Sequence, residues 1–123
     1  MEQEPHCFLF TEEPKYIALT GVSRAVKEGE KVSGDQYATM ESEKGKLILL
    51  LSDGTGSGED ASRGSGRVMD LMEKMLEAGF GTEASVNLLN SALYAQNEED
   101  DHPTIDLCSL DLYTGECEIC KVG

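Results

Sequence analysis

Ser33-Gly34-Asp35-Gln36-Tyr37-Ala38-Thr39-Met40-Glu41, a short polar loop, then Lys46-Leu47-Ile48-Leu49-Leu50-Leu51-Ser52-Asp53-Gly54 is the stretch that decides the fold. Two β-prone runs joined by a few polar residues ending in glycine predict a hairpin. The loop Glu43-Lys44-Gly45, with Gly45 in the left-handed position, is a favoured connection. Counting outward from Lys44 pairs Glu41 with Leu47, Thr39 with Leu49 and Tyr37 with Leu51. One further step sets Asp35 opposite Asp53. Directly opposed side chains stand roughly 4.5–5.5 Å apart at Cβ, so the two carboxylates would meet. Carboxylates that close repel and raise each other's proton affinity unless a cation lies between them. Hard oxygen donors suit Mg²⁺, Mn²⁺ or Ca²⁺ and not Zn²⁺. The register carries the whole inference, since a slip of one residue would put the aspartates on opposite faces.

Beyond Asp53 the chain runs Gly54-Thr55-Gly56-Ser57-Gly58-Glu59. Alternating glycines let backbone bend sharply or approach a ligand closely. They do not end in the Gly-Lys-Ser/Thr of a nucleotide loop, and Glu59 breaks the dinucleotide fingerprint. Asp before Gly is also common in ordinary turns. Spacing alone therefore leaves a metal site and a plain helix entry both open.

The remaining elements follow from periodicity. Tyr16–Val22 predicts a strand running on through Ala25-Val26. Asp60-Ala61-Ser62 opens a helix toward Gly79, with Val68, Leu71, Met72, Met75 and Leu76 on one apolar face. Core packing is the default reading of that face and of Met69 beside it. Thr82 caps a second helix with Val86, Leu89 and Leu93 on one side. The residues from Asn97 to Pro103 form an acidic loop. Ile105–Tyr113 and Glu116–Val122 predict a second hairpin turning through Tyr113-Thr114-Gly115. Strands, then two helices, then strands indicate an α+β layered domain.

Composition excludes several functions. A formal charge of −14 with no basic stripe argues against nucleic acid and against anionic membrane surfaces. No apolar stretch reaches the roughly 18 residues of a membrane span. Met1-Glu2-Gln3-Glu4-Pro5 lacks the positive start of a signal peptide, and a cytoplasmic location is expected. Cys117-Glu118-Ile119-Cys120 has the spacing of a zinc knuckle. It lies in a predicted strand, however, where residues three apart point to opposite faces. Cys7 and Cys108 offer no second pair at matching spacing, so the cysteines read as small buried hydrophobes. His6 and His102 stand alone in polar loops.

Ser33-Gly34-Asp35-Gln36-Tyr37, Leu51-Ser52-Asp53-Gly54-Thr55-Gly56-Ser57-Gly58, Thr104-Ile105-Asp106-Leu107 and Leu110-Asp111-Leu112-Tyr113-Thr114-Gly115 occur in an order that resembles the phosphatase domain of stage II sporulation protein E, in the metal-dependent type 2C (PPM) serine/threonine phosphatase family. The resemblance runs from about Pro14 to Gly123. It implies an antiparallel β-sandwich with flanking helices, of which residues 1–123 would be the N-terminal portion of a single domain. It further implies a pair of Mn²⁺ or Mg²⁺ ions, with Asp53 bridging both, the Gly54 carbonyl completing one coordination sphere and Asp35 at the metal centre. The implied substrate is a phosphorylated regulator of the anti-anti-sigma type, in sporulation or sigma-factor control. Some family members carry membrane segments ahead of the domain, so a longer parent protein could be membrane-anchored.

Thr55 stands where a bulky apolar residue is usual, and the family's later aspartates lie in motifs this sequence does not contain. The expectation is therefore a chain that binds metals poorly and turns over slowly by itself. Half a sandwich would leave Leu49 and Leu51 bare and favour a homodimer. The alternative reading is a non-catalytic remnant, or a regulatory protein-binding module of the same fold.

Overall fold

The computed structural model describes residues 6–42, 44–54, 58–96 and 103–122. Its elements are β1 (Gln36–Glu41), β2 (Lys46–Ser52), α1 (Gly58–Glu77), α2 (Thr82–Gln96), β3 (Ile105–Asp111) and β4 (Cys117–Val122). The strands form one antiparallel sheet in the order β1-β2-β3-β4. Both helices cover the same face of it, an α+β arrangement as predicted.

The first hairpin has the expected register: Glu41 pairs with Leu47, Thr39 with Leu49 and Tyr37 with Leu51. Gly45 adopts a φ of 72°, the left-handed conformation that closes a hairpin at little steric cost only with glycine. Glu43, also assigned to this loop, lies outside the described residues, as do 97–102 of the expected acidic loop. The second hairpin turns at Asp111–Glu116. There the Asp111 carboxylate accepts hydrogen bonds from the backbone N–H of Tyr113 (2.8 Å) and Thr114 (3.0 Å).

Alternation of side chains along each strand sorts the sheet into two faces. Ile48 and Leu50 of β2 and Ile105 and Leu107 of β3 meet Val68, Met69 and Met72 of α1 and Val86 and Leu89 of α2 in a single core. Each such side chain contributes roughly 1.5–3 kcal/mol by leaving water. Met72 is fully buried, so the methionine-rich face of α1 is core. The face is rotated slightly from the expected one: Met69 is buried at 5 % exposure while Leu71 is 39 % exposed. The predicted stripe placed Leu71 at its edge. The sheet touches α1 around Val68, Met69 and Met72, which leaves Leu71 on the solvent side.

The opposite face is open. Tyr37, Leu51 and Ile119 are all about half exposed or more; Leu49, expected to be bare with Leu51, is only partly exposed, and Leu47 on the same face is buried. One expectation fails outright. Residues 16–26 form no strand. A strand needs a partner's edge, and this segment instead crosses the open face, lining a cleft with Tyr37, Leu49, Leu51 and Cys108. Among the described residues its ladder-like contact is Tyr16 N–H to the Leu112 carbonyl at 3.0 Å.

Candidate metal centre

The β1–β2 ladder ends at Gln36 opposite Ser52, and the next step outward brings Asp35 to Asp53. The Asp53 carboxyl within hydrogen-bonding reach, then desolvation, then the Asp53 charge hold the Asp35 carboxyl above its ordinary proton affinity, against the pull of the Arg24 guanidinium. Like charges crowded into one place cannot both ionise freely. A shared proton or a bound cation relieves the conflict.

The start of α1 clamps this pair from behind. Ser65 is fully buried and its hydroxyl donates to the Gly34 carbonyl at 2.5 Å, with the helix's own Ala61 carbonyl at 3.0 Å. One turn away, Gln36 Nε2 donates to Ser62 Oγ at 2.8 Å. Gly54 is buried where the three segments meet. A Cβ on it would lie 2.4 Å from the Ala61 carbonyl oxygen and 2.6 Å from that of Gly34. No side chain fits there. The backbone N–H of Thr104 donates to the Asp53 carbonyl at 3.0 Å, so the entry to β3 also fixes the turn. Ser52 is fully buried and its hydroxyl has no partner among the described residues.

Two further groups come from the N-terminal segment. Arg24 Nη1 donates to the Asp35 carbonyl at 3.2 Å. The Glu30 carboxylate rests against Gly58, with Oε2 2.8 Å from where a Cβ would stand. That places a negative charge at the amino end of α1, where the helix dipole favours it, as Glu59 and Asp60 also do. Sequence reasoning missed Arg24, which sits eleven residues before Asp35 in a segment read as a strand. The signal for Ser65 was present in the small residues Ala61 and Ser65 at i, i+4 spacing, a stripe that lets other backbone come close. Arg63 pairs with Asp60 on the exposed side of the helix.

The donors gathered here are carboxylate and carbonyl oxygens, which fit a hard divalent cation. They fit it incompletely. Among the described residues no three His, Cys, Asp or Glu side chains converge as a metal cluster, whereas Mg²⁺ takes six ligands. Thr55, Gly56 and Ser57 lie outside the described residues. Cys117 and Cys120 do point to opposite faces of β4: Cys120 packs on the core, while Cys117 is exposed.

The sheet and its two helices match part of the PP2C phosphatase fold. The structure of the PP2C phosphatase domain and a fragment of the regulatory domain of SpoIIE from Bacillus subtilis superposes with a TM-score of 0.70 and 30 % identity, over 81 % of this chain and 34 % of that one. The structure of RsbX in complex with magnesium matches at a TM-score of 0.63 and 26 % identity, over 80 % of this chain and 46 % of that one. In sequence, the chain is 36 % identical over 108 residues to stage II sporulation protein E of Bacillus subtilis (strain 168), covering 88 % of this chain and 13 % of that protein. The signature of the stage II sporulation protein E (SpoIIE) family matches residues 43–123, and the chain belongs to that family. No helix among the described residues is long and apolar enough to cross a membrane.

Proposed function

We propose that this chain supplies the first carboxylates of a Mg²⁺- or Mn²⁺-dependent protein serine/threonine phosphatase site acting on a phosphorylated regulatory protein. The observation that carries the reading is the register that sets Asp35 beside Asp53 at the end of the hairpin, next to the buried turn at Gly54. Asp35 and Asp53 would hold the metal, with the Gly54 carbonyl as a third donor. When bound, such ions lower the pKa of water for attack on phosphorus and neutralise charge on the phosphoryl oxygens.

The chain's own residues set the stage for that chemistry. The Ser65 and Gln36 hydrogen bonds fix the Gly34–Asp35 loop against α1, so the backbone that carries Asp35 is held before any ion arrives. Preorganised donors do not have to reorder at the moment of reaction. Arg24 is anchored by one nitrogen to the Asp35 carbonyl, and its remaining N–H groups would orient a substrate phosphoryl group, for which a guanidinium has a matching fork. Homology to sigma-regulating phosphatases supports a small phosphoserine protein of the anti-anti-sigma type as substrate. Further carboxylates have to complete the coordination shell, and weak activity of these 123 residues alone follows from that.

The test is hydrolysis of a phosphoserine protein by this chain with excess Mn²⁺, beside Asp53→Asn. Manganese-dependent turnover that the substitution removes supports the reading; equal background in both refutes catalysis by this chain. In that event the second reading, a non-catalytic protein-binding module, is favoured by the open sheet face around Tyr37, Leu51 and Ile119. A homodimer formed through that face would show as a doubled mass in light scattering.

A further inference from the structure

We propose that Cys108 and Cys117 form a peroxide-responsive dithiol, closing to an intramolecular disulfide that staples β3 to β4. In the β3–β4 register Cys108 faces Ile119 and Leu110 faces Cys117. Cys117 and Ile119 are two residues apart and share a face of the sheet, so the two thiols are diagonal neighbours. Their sulfurs are 3.5 Å apart. A disulfide needs about 2.05 Å, a closure of about 1.5 Å that rotation of two side chains at the sheet's edge can supply.

The surroundings suit one thiol to attack and the other to resolve. Cys117 is exposed on β4, at the edge of the sheet. Cys108 lies between the buried Leu107 and Ser109 and points to the face away from the helices. Burial pushes the Cys108 thiol up, and the hydrogen bond to Cys117 and the charge there add to it. Cys108 therefore keeps its proton longer than an ordinary cysteine. Cys120 cannot compete, since it packs against the core on the helix side.

The oxidant class is a hydroperoxide. The Cys117 thiol gives up its proton and its sulfur attacks one oxygen of hydrogen peroxide; the O–O bond breaks, leaving a sulfenic acid on Cys117 and a hydroxide that takes up that proton as water. The Cys108 sulfur then attacks the Cys117 sulfur. The S–S bond forms, the S–O bond breaks, and the departing hydroxide takes the Cys108 proton as a second water. Two thiols lose one electron each, and the peroxide gains both. This chemistry is separate from the phosphatase reading, because neither cysteine belongs to the Asp35–Asp53 centre.

The experiment uses the full chain carrying Cys7→Ser and Cys120→Ser, so that only the proposed pair remains. It is treated with hydrogen peroxide, then alkylated with a maleimide and mapped by non-reducing peptide mass spectrometry. Expected is joint loss of both thiols, a mass lower by two hydrogens, a rate independent of protein concentration, and full reversal by dithiothreitol. Adding Cys108→Ser should abolish that mass loss and leave a dimedone-trappable sulfenic acid on Cys117. The proposal is overturned if both thiols stay alkylatable, if only linked dimers form, or if Cys117 proceeds to sulfinic acid while Cys108 stays free.

Discussion

Replacing Gly54 by alanine should unseat the candidate centre, and the structure sets the size of the effect. The added Cβ would sit 2.4 Å from the Ala61 oxygen and 2.6 Å from the Gly34 oxygen. Both obstacles are backbone, so neither can swing away as a side-chain tip would. Restoring ordinary contact requires the Gly34 loop and the first turn of α1 to separate by close to an ångström. Overpacking of this kind costs about 1–3 kcal/mol. Separation also breaks the Ser65–Gly34 hydrogen bond, a further loss of about 1 kcal/mol. With a urea dependence of about 2 kcal/mol/M, a total of about 3 kcal/mol moves the denaturation midpoint down by about 1.5 M. Gly66→Ala is the control: it lies within α1 with nothing within 4 Å of its Cβ position, and alanine there should stabilise by about 0.5–1 kcal/mol. Urea titration followed by circular dichroism measures both. A Gly54→Ala midpoint equal to that of the unmodified chain would refute the steric argument, and so would an equal loss in Gly66→Ala.

Further outcomes follow from the same coordinates. Asp35→Asn should raise the thermal midpoint of the chelator-treated chain at pH 7 and remove any stabilisation by Mg²⁺. The sign follows from the raised proton affinity of Asp35: stability from such a group is complete below the unfolded pKa and is lost as pH rises through the folded one. A midpoint lowered by the substitution would contradict the crowding of the two carboxylates. Asp111 works in the opposite sense, because the N–H groups of Thr114 and Tyr113 hold its carboxyl below the ordinary value. Its contribution is present above the unfolded pKa and fades as pH falls through the lowered one, so carboxyl NMR should show Asp111 titrating below the ordinary aspartate value. Met72→Ala should cost about 2–5 kcal/mol in urea denaturation, while Leu71→Ala should stay under about 1 kcal/mol; similar losses at both would return Leu71 to the core.

Much of this arrangement was legible before any coordinates. The Asp35–Asp53 pairing came from counting outward from one turn, since side-chain period and turn type together leave a hairpin a single register. The helical stripes were read nearly correctly, with an error of one position at Leu71. The same counting applied to the turn at Tyr113–Gly115 would set Cys108 opposite Cys120; the register found is one residue away, pairing Cys108 with Ile119 and Leu110 with Cys117, so the neighbouring thiols were not legible from the turn. The segment from Tyr16 to Val26 misled because apolar, β-branched residues suit any half-buried extended backbone. Whether such a segment joins a ladder depends on a free edge within reach, and composition carries no information about that.

The sequence by itself therefore determined the local pairings: two hairpins, two amphipathic helices, and the meeting of two carboxylates at one strand end. These follow from periods of two and 3.6 residues and from a few glycines, all short-range properties. Tertiary structure alone decided what surrounds the carboxylates. Ser65 reaching Gly34, Gly54 wedged between two carbonyls, Arg24 against Asp35 and Glu30 at the head of α1 join residues up to 31 positions apart. Those contacts depend on how the helix layer settles on the sheet, which the whole core fixes at once.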